Sequence, residues 1–409
     1  MNGNDKRPLE PNSRFPEFRE DGEWQESELA KFLTESRIEG SAGDTAQKIT
    51  VKLWGKGVFA KNEYIKGSEN TRYYKRRAGQ FIYSKLDFLN QAFGVIPESL
   101  DGFESTVDLP CFDIGDELNP GFLLEYVKRD DFYKKNGEIA DGGRKAKRIQ
   151  TESFLSFPIA IPVRKAEQQK IADCLASLDE LIMAEAQKLD ALKAHKKGLM
   201  QQLFPREGET VPRLRFPEFG NAGEWKNVAL STKIDLISGL HLAPDQYSEA
   251  GEIPYFTGPS DYTNNLNVVG KWTVRGANTG RAGDILVTVK GSGVGELLYL
   301  ELDAVAMGRQ LMAIRPRSAH GEFLFHSLAL QRQRFVALAS GNLIPGLSRG
   351  DILDLTVSFP ERGEQKAIAE FLSSLDRLSA VQSQKLSALK AHKKALVQQL
   401  FPALNEVSA

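Results

Sequence analysis

The stretch that decides the fold is EQQKIADCLASLDELIMAEAQKLDALKAHKKGLMQQLFP, residues 167–205. It recurs without gaps as EQKAIAEFLSSLDRLSAVQSQKLSALKAHKKALVQQLFP, residues 364–402, and 25 of the 39 paired positions are identical. Identity at this density does not arise by chance between unrelated segments. Because an internal repeat defines the domains before any other signal does, the chain is interpreted as two related halves.

Both copies of the repeated stretch carry apolar residues in alternating steps of four and three. The first copy has Glu185 and Lys196 in its polar slots and these apolar positions: Ile171, Leu175, Leu178, Ile182, Leu189, Leu192, Leu199 and Leu203. The second has Ser379, Gln382 and Lys393 in its polar slots and these apolar positions: Ile368, Leu372, Leu375, Leu386, Leu389, Leu396 and Leu400. A period of about 3.5 residues predicts coiled-coil helices, each about 55 Å long. Each seam could pack on its own domain, but two near-identical seams favour their pairing as an antiparallel coiled coil.

A shorter motif also occurs twice. Arg14-Phe-Pro-Glu-Phe18 followed by Gly-Glu-Trp24 recurs as Arg215-Phe-Pro-Glu-Phe219 followed by Gly-Glu-Trp225. The N-terminal segment is therefore equivalent to the linker after the first helix, so the repeat is cyclic and we expect the termini to lie close together. Fainter parallels relate residues 79–84 to 283–288, residues 154–162 to 352–360, and residues 142–148 to 341–349.

These repeats predict the organisation of the whole chain. We expect an N-terminal segment at 1–23, a first variable domain at 24–162, a first helix at 163–205, a linker at 206–224, a second variable domain at 225–360 and a second helix at 361–409. The expected fold class is mixed α/β (α+β), with an internal pseudo-twofold repeat and two long antiparallel helices that join the two variable domains.

The composition is that of an ordinary globular protein, with 409 residues, 41% of them hydrophobic and 26% charged. The net charge of -1 gives no global reason to expect a nucleic acid, a membrane or an acidic partner, so such a partner has to be sought in local clusters. Two cysteines, Cys111 and Cys174, exclude a disulfide framework and are interpreted as small buried apolar residues. Because the N-terminus is polar and no apolar run of about 18 residues occurs, we expect a cytoplasmic protein with no membrane segment.

Signatures of the common catalytic and cofactor sites are absent, including the phosphate-binding P-loop, the zinc-protease motif and the serine-hydrolase elbow. Asn119-Pro-Gly-Phe122 lacks the second proline of the amino-methyltransferase signature and is interpreted as a turn. Gly291-Ser-Gly-Val-Gly295 is followed by a strand pattern at 297–300 rather than by the helix that a phosphate cradle needs, which favours a strand-to-strand loop. His195 and His392 have no second ligand in the same turn, which disfavours a metal.

Local charge is uneven in the first variable domain. Residues 71–85 contain no acid but several basic and aromatic side chains, and residues 142–148 form a second basic run. Phosphate contacts need positive charge, whereas base reading needs forked donors on a rigid frame. A solvated charged loop is the simpler interpretation of any single run. The candidate DNA contacts here are Arg72, Lys75, Arg76, Arg77, Tyr83, Ser84, Lys85, Arg144, Lys145, Lys147 and Arg148. Those of the less basic second domain are Lys290, Ser292, Arg309, Gln310 and Arg349.

Taken together, the pattern resembles the specificity subunit of type I restriction-modification systems. The resemblance rests on the doubled Arg-Phe-Pro-Glu-Phe leader, the doubled Glu-Gln…Ser-Leu-Asp helix opening and the doubled Leu-Lys-Ala-His-Lys-Lys…Gln-Gln-Leu-Phe-Pro ending. It covers essentially the whole chain. Residues 251–255, 283–286 and 341–347 look like one version of the family's target recognition domain, and residues 83–85 with 92–94 look like another.

The resemblance implies that each target recognition domain reads one half of a bipartite double-stranded DNA target, while the helices set the spacing and dock two methyltransferase subunits. Two restriction subunits would complete the complex. S-adenosylmethionine, ATP and Mg would be bound by those partners, and this chain would bind no cofactor and have no catalytic activity. The docking candidates on the helices are His195, Lys196, His392 and Lys393.

Two other functions stay open at the level of the sequence. One is a solitary DNA-binding adaptor without enzyme partners, which the absence of neighbouring genes for a methyltransferase and a helicase-nuclease would favour. The other is a coiled-coil scaffold whose variable domains bind proteins or glycans, which the absence of salt-dependent binding to duplex DNA would favour.

Overall fold

The computed structural model describes residues 9–62, 67–138, 148–274, 278–340 and 345–402. The chain forms two compact units: unit 1 comprises residues 1–185 and 385–409, and unit 2 comprises residues 186–384. Each of the two long helices contributes one half to each unit. Each unit therefore contains one variable domain and a pair of half-helices.

Unit 1 contains short strands, three short helices and the first half of a long helix. Its elements are β1 (Gln25–Glu28), β2 (Leu33–Ser36), β3 (Ile38–Ala42), β4 (Ile49–Val51), β5 (Val58–Ala60), β6 (Arg72–Lys75), β7 (Phe81–Tyr83), β8 (Phe93–Val95), β9 (Glu104–Ser105), β10 (Cys111–Ile114), α1 (Pro120–Val127), α2 (Asp130–Gly137), α3 (Thr151–Leu155), β11 (Pro158–Ile161) and α4 (Lys165–Leu203). The main sheet has the order β2-β10-β7-β8, beside a β3-β6-β9 sheet and the pairs β1-β11 and β4-β5.

Unit 2 repeats this plan with a different second sheet. Its elements are β12 (Lys226–Ala229), β13 (Ile234–Ser238), β14 (Ile253–Phe256), β15 (Trp272–Thr273), β16 (Thr279–Gly280), β17 (Ile285–Thr288), β18 (Leu297–Tyr299), β19 (Val305–Met307), β20 (Leu311–Pro316), α5 (Gly321–Leu330), α6 (Arg332–Ala339), α7 (Arg349–Leu353), β21 (Thr356–Phe359) and α8 (Arg362–Leu400). The main sheet has the order β13-β20-β17-β18, beside a β15-β14-β19-β16 sheet and the pair β12-β21.

The main sheets of the two units are equivalent strand by strand. Gly79 and Gly283 begin the turns into β7 and β17 with φ values of 83° and 88°, a region that glycine adopts without steric cost. Their N–H groups donate to the carbonyls of Ile96 and Leu300, each at 2.8 Å. The faint sequence parallel between residues 79–84 and 283–288 therefore reflects one common frame.

Aromatic residues of the doubled leader anchor each core. Trp24 packs on Phe122 and Phe401 in unit 1, and Trp225 packs on Phe323 and Phe204 in unit 2. The N–H of Ser13 donates to the carbonyl of Gln399 at 2.9 Å, just as that of Leu214 donates to Gln202 at 3.0 Å. The leader thus docks on the end of α8 in the same way as the linker docks on the end of α4, as the cyclic repeat predicts.

The halves of the two long helices run antiparallel within each unit. In unit 1, Lys393 bonds to Asp179 at 2.6 Å and Lys385 bonds to Glu185 at 2.5 Å, so the numbering rises on one helix as it falls on the other. In unit 2, Lys196 pairs with Asp376, the repeat equivalent of the Lys393–Asp179 pair. The apolar seam positions are buried or half-buried on both helices. The predicted fold class, mixed α+β with antiparallel coiled-coil helices and a pseudo-twofold repeat, is confirmed.

Two local predictions were wrong. Asn119 does not form a simple turn: its side chain caps α1 by accepting a hydrogen bond from the N–H of Phe122 at 2.9 Å. Cys111 is buried as expected, but Cys174 is half-exposed on α4.

One finding concerns membranes. Within the described parts of the chain, the helices include none with the length and apolar character needed to cross a membrane.

Candidate nucleic-acid interface

Three loops of unit 2 meet at the end of β17. The N–H of Val289 donates to the carbonyl of Gln310 at 2.8 Å, and the N–H of Leu347 donates to the carbonyl of Val289 at 2.8 Å. A further bond joins the Gly291 N–H to the Pro345 carbonyl at 3.0 Å. We call residues 289–296, 308–311 and 345–348 the edge loops of unit 2. Residues distant in sequence are thus held together by backbone bonds.

The edge loops of unit 2 present four of the side chains that the sequence predicts as DNA contacts. Lys290, Ser292, Arg309 and Gln310 are all exposed. Arg309 and Gln310 are the central residues of a turn closed by the bond from the Leu311 N–H to the Gly308 carbonyl at 2.9 Å. Among the described residues none forms a side-chain hydrogen bond or ion pair with these four groups. Their donors are therefore available to a ligand.

Arg349, the fifth candidate in this domain, has a different environment. Its guanidinium donates to the hydroxyl of Ser238 and to the carbonyl of Leu236, each at 2.9 Å. The side chain therefore fastens the start of α7 to β13. We interpret Arg349 as a positioning residue rather than as a free donor.

A polar network that sequence reasoning missed lies beside the same loops. Asp261 accepts from the hydroxyl of Thr257 at 2.6 Å and pairs with Lys271 at 3.2 Å. Burial alone would raise the pKa of Asp261, but the hydrogen bonds from Thr257 and Lys271 keep that pKa below its ordinary value. A β-carbon at Gly258 would lie 3.2 Å from Oε1 of Gln310, so this segment adjoins the edge loops. Only the fold brings Lys271 to this position.

Unit 1 has equivalent edge loops, residues 85–92, 106–109 and 148–150. The N–H of Lys85 donates to the carbonyl of Asp108 at 2.9 Å, and the N–H of Ile149 donates to the carbonyl of Lys85 at 3.0 Å. These bonds match those of Val289 and Leu347 in unit 2 one for one. Lys85 is half-buried, and Arg148 pairs with Asp108 at 2.8 Å. Two of the predicted basic positions, Lys85 and Arg148, are therefore neighbours.

Three predicted contact residues of unit 1 are buried, and for them the argument from local charge was wrong. Tyr83 lies within the aromatic core, its hydroxyl donates to the carbonyl of Ile149 at 3.0 Å, and burial raises its pKa. Arg76 donates to the Ser105 hydroxyl at 2.8 Å and the Ser36 carbonyl at 2.7 Å, and burial lowers its pKa. Ser84 is buried beside Asp87.

The other candidates of unit 1 fall into two groups. Arg72, Lys75 and Arg77 are exposed, but they lie on β6 and directly after it, in the β3-β6-β9 sheet rather than on the edge loops. Arg144, Lys145 and Lys147 lie outside the described residues. The structure therefore brings together Lys85 and Arg148 in this unit and separates the basic strand from them.

The predicted docking residues on the helices fall into two groups that differ in exposure. His195 and His392 are exposed. Lys196 and Lys393 are seam residues with side chains only 17% and 16% exposed, and both form ion pairs inside their units. These two lysines are therefore engaged within their own units, and their role in docking stays a prediction. Sequence reasoning missed Leu181 and Leu378, which occupy equivalent positions and are both exposed.

The comparison with known protein families concerns the second half of the chain. Residues 223–391 match the family model described as the type I restriction modification DNA specificity domain. This part of the chain is therefore similar to the type I restriction-modification specificity domain. The match contains the edge loops of unit 2 and most of α8, so the predicted resemblance is confirmed.

Two proteins with similar sequences point to the same family. Two proteins of Methanocaldococcus jannaschii, the type I restriction enzyme MjaX and MjaVIII specificity subunits, are each 24% identical to this chain, over 286 and 270 residues. The matches cover 68% and 59% of this chain, and 66% and 61% of the relatives, so the chain spans less than two thirds of their length.

Solved structures share the fold over nearly the whole chain. The S subunit of a type I restriction-modification system from M. genitalium superposes with a TM-score of 0.65 at 15% identity, covering 97% of this chain and 100% of that one. A structure from a study of complex assembly and conformational transition in a type I R-M system gives 0.57 at 18% identity, covering 93% and 98%. Both likenesses establish the architecture.

Proposed function

We propose that this chain is the non-catalytic DNA sequence-specificity subunit of a type I restriction-modification complex and acts in the cytoplasm. One observation carries the proposal: two copies of a single frame, each closed by the same backbone bonds, present different side chains at their edge loops. A frame of this kind suits a protein that reads two different DNA half-sites. Unit 1 would read one half and unit 2 the other.

In this proposal the long helices act as a spacer and as a docking surface. They set the spacing between the half-sites and dock two methyltransferase subunits, through exposed groups that include His195 and His392 and the equivalent leucines Leu181 and Leu378. Two restriction subunits join the complex. The partners bind S-adenosylmethionine, ATP and Mg, and they carry methyl transfer and cleavage.

Binding to duplex DNA at several salt concentrations tests the proposal. Neutralisation of about six phosphates gives a log-log slope of affinity against salt near -5. A slope of zero would rule out the DNA function and favour a scaffold that binds proteins or glycans. Exchange of residues 24–162 for another such domain should change one half of the methylated sequence, mapped by long-read sequencing of methylated adenines, and leave the other half unchanged.

Single substitutions at the edge loops of unit 2 sharpen the test. Arg309→Ala removes a forked donor and should weaken binding by about tenfold to a hundredfold, with relaxed specificity in one half-site only. Lys290→Ala should weaken all sequences equally and reduce the salt slope by about one. Arg281→Ala is the matched control, because Arg281 is exposed near the opposite end of β17. An Arg309→Ala protein that keeps full specificity would refute this assignment.

A further inference from the structure

Three exposed apolar side chains lie at the edge loops of unit 1; Leu89, at 38% exposed, adjoins Gly137, and the two most exposed are Val107 and Leu86. Val107 is 52% exposed and Leu86 is 44% exposed. Val107 is a central residue of the turn closed by the bond from the Leu109 N–H to the Thr106 carbonyl at 3.0 Å. Neither belongs to the hydrophobic clusters found among the described residues of the unit. Packing of the core therefore does not account for them.

The common frame identifies their counterparts in unit 2. Lys85 and Val289 make equivalent backbone bonds to the turns at 106–109 and 308–311. Leu86 therefore corresponds to Lys290, Val107 corresponds to Arg309, and Asp108 corresponds to Gln310. Three exposed polar groups of the edge loops of unit 2 are therefore replaced in unit 1 by two apolar groups and a carboxylate.

Two cations adjoin the apolar pair, accompanied by two carboxylates. Asp108 is paired with Arg148 at 2.8 Å, and Lys85 and Asp87 flank Leu86 in the same loop. The bond from Ile149 to Lys85 also places the described end of the acid-free run 142–148 beside them. Cations next to exposed apolar groups suit duplex DNA, because phosphates attract the cations and the major groove offers apolar contact only at the thymine 5-methyl group.

We propose that Leu86 and Val107 read thymine methyl groups in the half-site bound by unit 1, whereas Arg309 and Gln310 read base edges by hydrogen bonding in the half-site bound by unit 2. This inference rests on the DNA function proposed above. The two halves of the target are then recognised by different chemistry on one frame. Apolar contacts recognise the half-site bound by unit 1, and forked hydrogen-bond donors recognise the half-site bound by unit 2.

Deoxyuridine substitution tests the inference directly, since it removes the methyl group and keeps every hydrogen-bonding group of thymine. The target is first mapped from methylated adenines, and the domain exchange shows which half unit 1 reads. Duplexes with each thymine of that half replaced in turn are then titrated with the full chain in complex with its methyltransferase subunits. We expect about fourfold weaker binding at one or two positions.

Variants of the chain complete the experiment. Val107→Ala and Leu86→Ala should each bind thymine and deoxyuridine duplexes equally at the position that the removed side chain contacts, while Arg309→Ala should keep the thymine preference in the half read by unit 1. Val211→Ala, an exposed valine of the linker, is the matched control and should also keep it. All these side chains are exposed, so the variants should fold, which circular dichroism checks.

The outcomes separate this inference from the function on which it rests. If salt-dependent binding occurs but no deoxyuridine position weakens it, or if neither alanine variant loses the thymine preference at any of these positions, the methyl-reading role is overturned and the DNA function stands. If the wild-type complex shows no salt-dependent binding at all, both proposals fail together.

Discussion

Glu125 in unit 1 and His326 in unit 2 occupy equivalent places on equivalent helices. Each lies six residues after the residue that precedes its helix, Asn119 or His320. The N–H of that residue donates to the side-chain oxygen of Gln168 in unit 1 or Gln365 in unit 2, at 2.8 and 3.0 Å. Each faces the same lysine of the repeat, Lys393 in unit 1 and Lys196 in unit 2. The long helices carry the same lysine–aspartate pair in both units, Lys393–Asp179 and Lys196–Asp376. The group from the variable domain that faces this pair is a glutamate in unit 1 and a histidine in unit 2.

The two environments have opposite electrostatic consequences. In unit 1, burial would raise the pKa of Glu125, but the charges of Lys128 and Lys393 outweigh it and hold that pKa below its ordinary value. In unit 2, burial, assisted by the charge of Lys196, lowers the pKa of His326 to about 3. Unit 1 therefore closes its helix seam with a charged network, whereas unit 2 closes it with a neutral imidazole beside the Lys196–Asp376 pair.

The largest expected loss of unfolding free energy should be the same in both units, because both contain the same buried arginine–glutamate pair. Arg14 donates through Nε and Nη2 to both carboxylate oxygens of Glu167 at 2.7 Å, and Arg215 does the same to Glu364. Both glutamates are only 1% exposed. Arg14→Ala and Arg215→Ala should each lower the free energy of unfolding by about 3 kcal/mol, because each leaves a buried carboxylate unpaired.

Urea denaturation measures this effect, and Arg164→Ala provides the control. Arg164 forms an exposed pair with Asp21 at 3.3 Å, so its loss should change the free energy of unfolding by about 0.5 kcal/mol at most. A large difference between Arg14→Ala and Arg215→Ala would mean that the doubled leader does not stabilise the two units in the same way.

Substitution of the seam lysines should lower the free energy of unfolding by different amounts in the two units. Lys393→Met leaves the buried Glu125 with Lys128 alone and should cost about 2 kcal/mol of unfolding free energy at pH 7. Lys196→Met removes a partner of the half-exposed Asp376 and should cost less than about 1 kcal/mol. The cost of Lys393→Met should shrink in acid as Glu125 binds a proton, because the pair with Lys393 contributes only while Glu125 is charged, and its pKa in the folded protein lies below the ordinary value. Equal costs at pH 7 would contradict the comparison.

His326 should make unit 2 sensitive to mildly acid pH. Its pKa is about 3 in the folded protein and about 6.5 when unfolded, so the unfolded state binds more protons between these values and stability is lost as the pH falls through them. From pH 7 to pH 5 this group should remove about 2 kcal/mol of unfolding free energy. His326→Gln should abolish that share of the loss in urea denaturation, whereas His195→Gln and His392→Gln, at exposed positions, should leave it unchanged.

The sequence predicts best the parts of this molecule that occur in both copies of the internal repeat. The seams of α4 and α8 follow from local periodicity, and the docking of the leader follows from its repetition. Burial of Tyr83 and Arg76 was not predictable from local charge, because their partners Ile149, Ser36 and Ser105 lie far away in the sequence. The edge loops likewise depend on the pairing of β7 with β10 and of β17 with β20, which local patterns do not specify.

The smallest expected effect tests whether the two frames are equally strained. Gly79 and Gly283 share a positive φ, and an added β-carbon would meet nothing within 4 Å at Gly79 and only the Tyr299 hydroxyl at 4.0 Å at Gly283. Substitution by alanine therefore acts through the backbone alone and should cost about 1 kcal/mol of unfolding free energy at each site. Gly223→Ala is the control, because Gly223 has open space and no positive φ, and it should not destabilise the protein. Unequal costs at Gly79 and Gly283, measured by thermal unfolding, would show that the turn into β7 and the turn into β17 are not one conserved element.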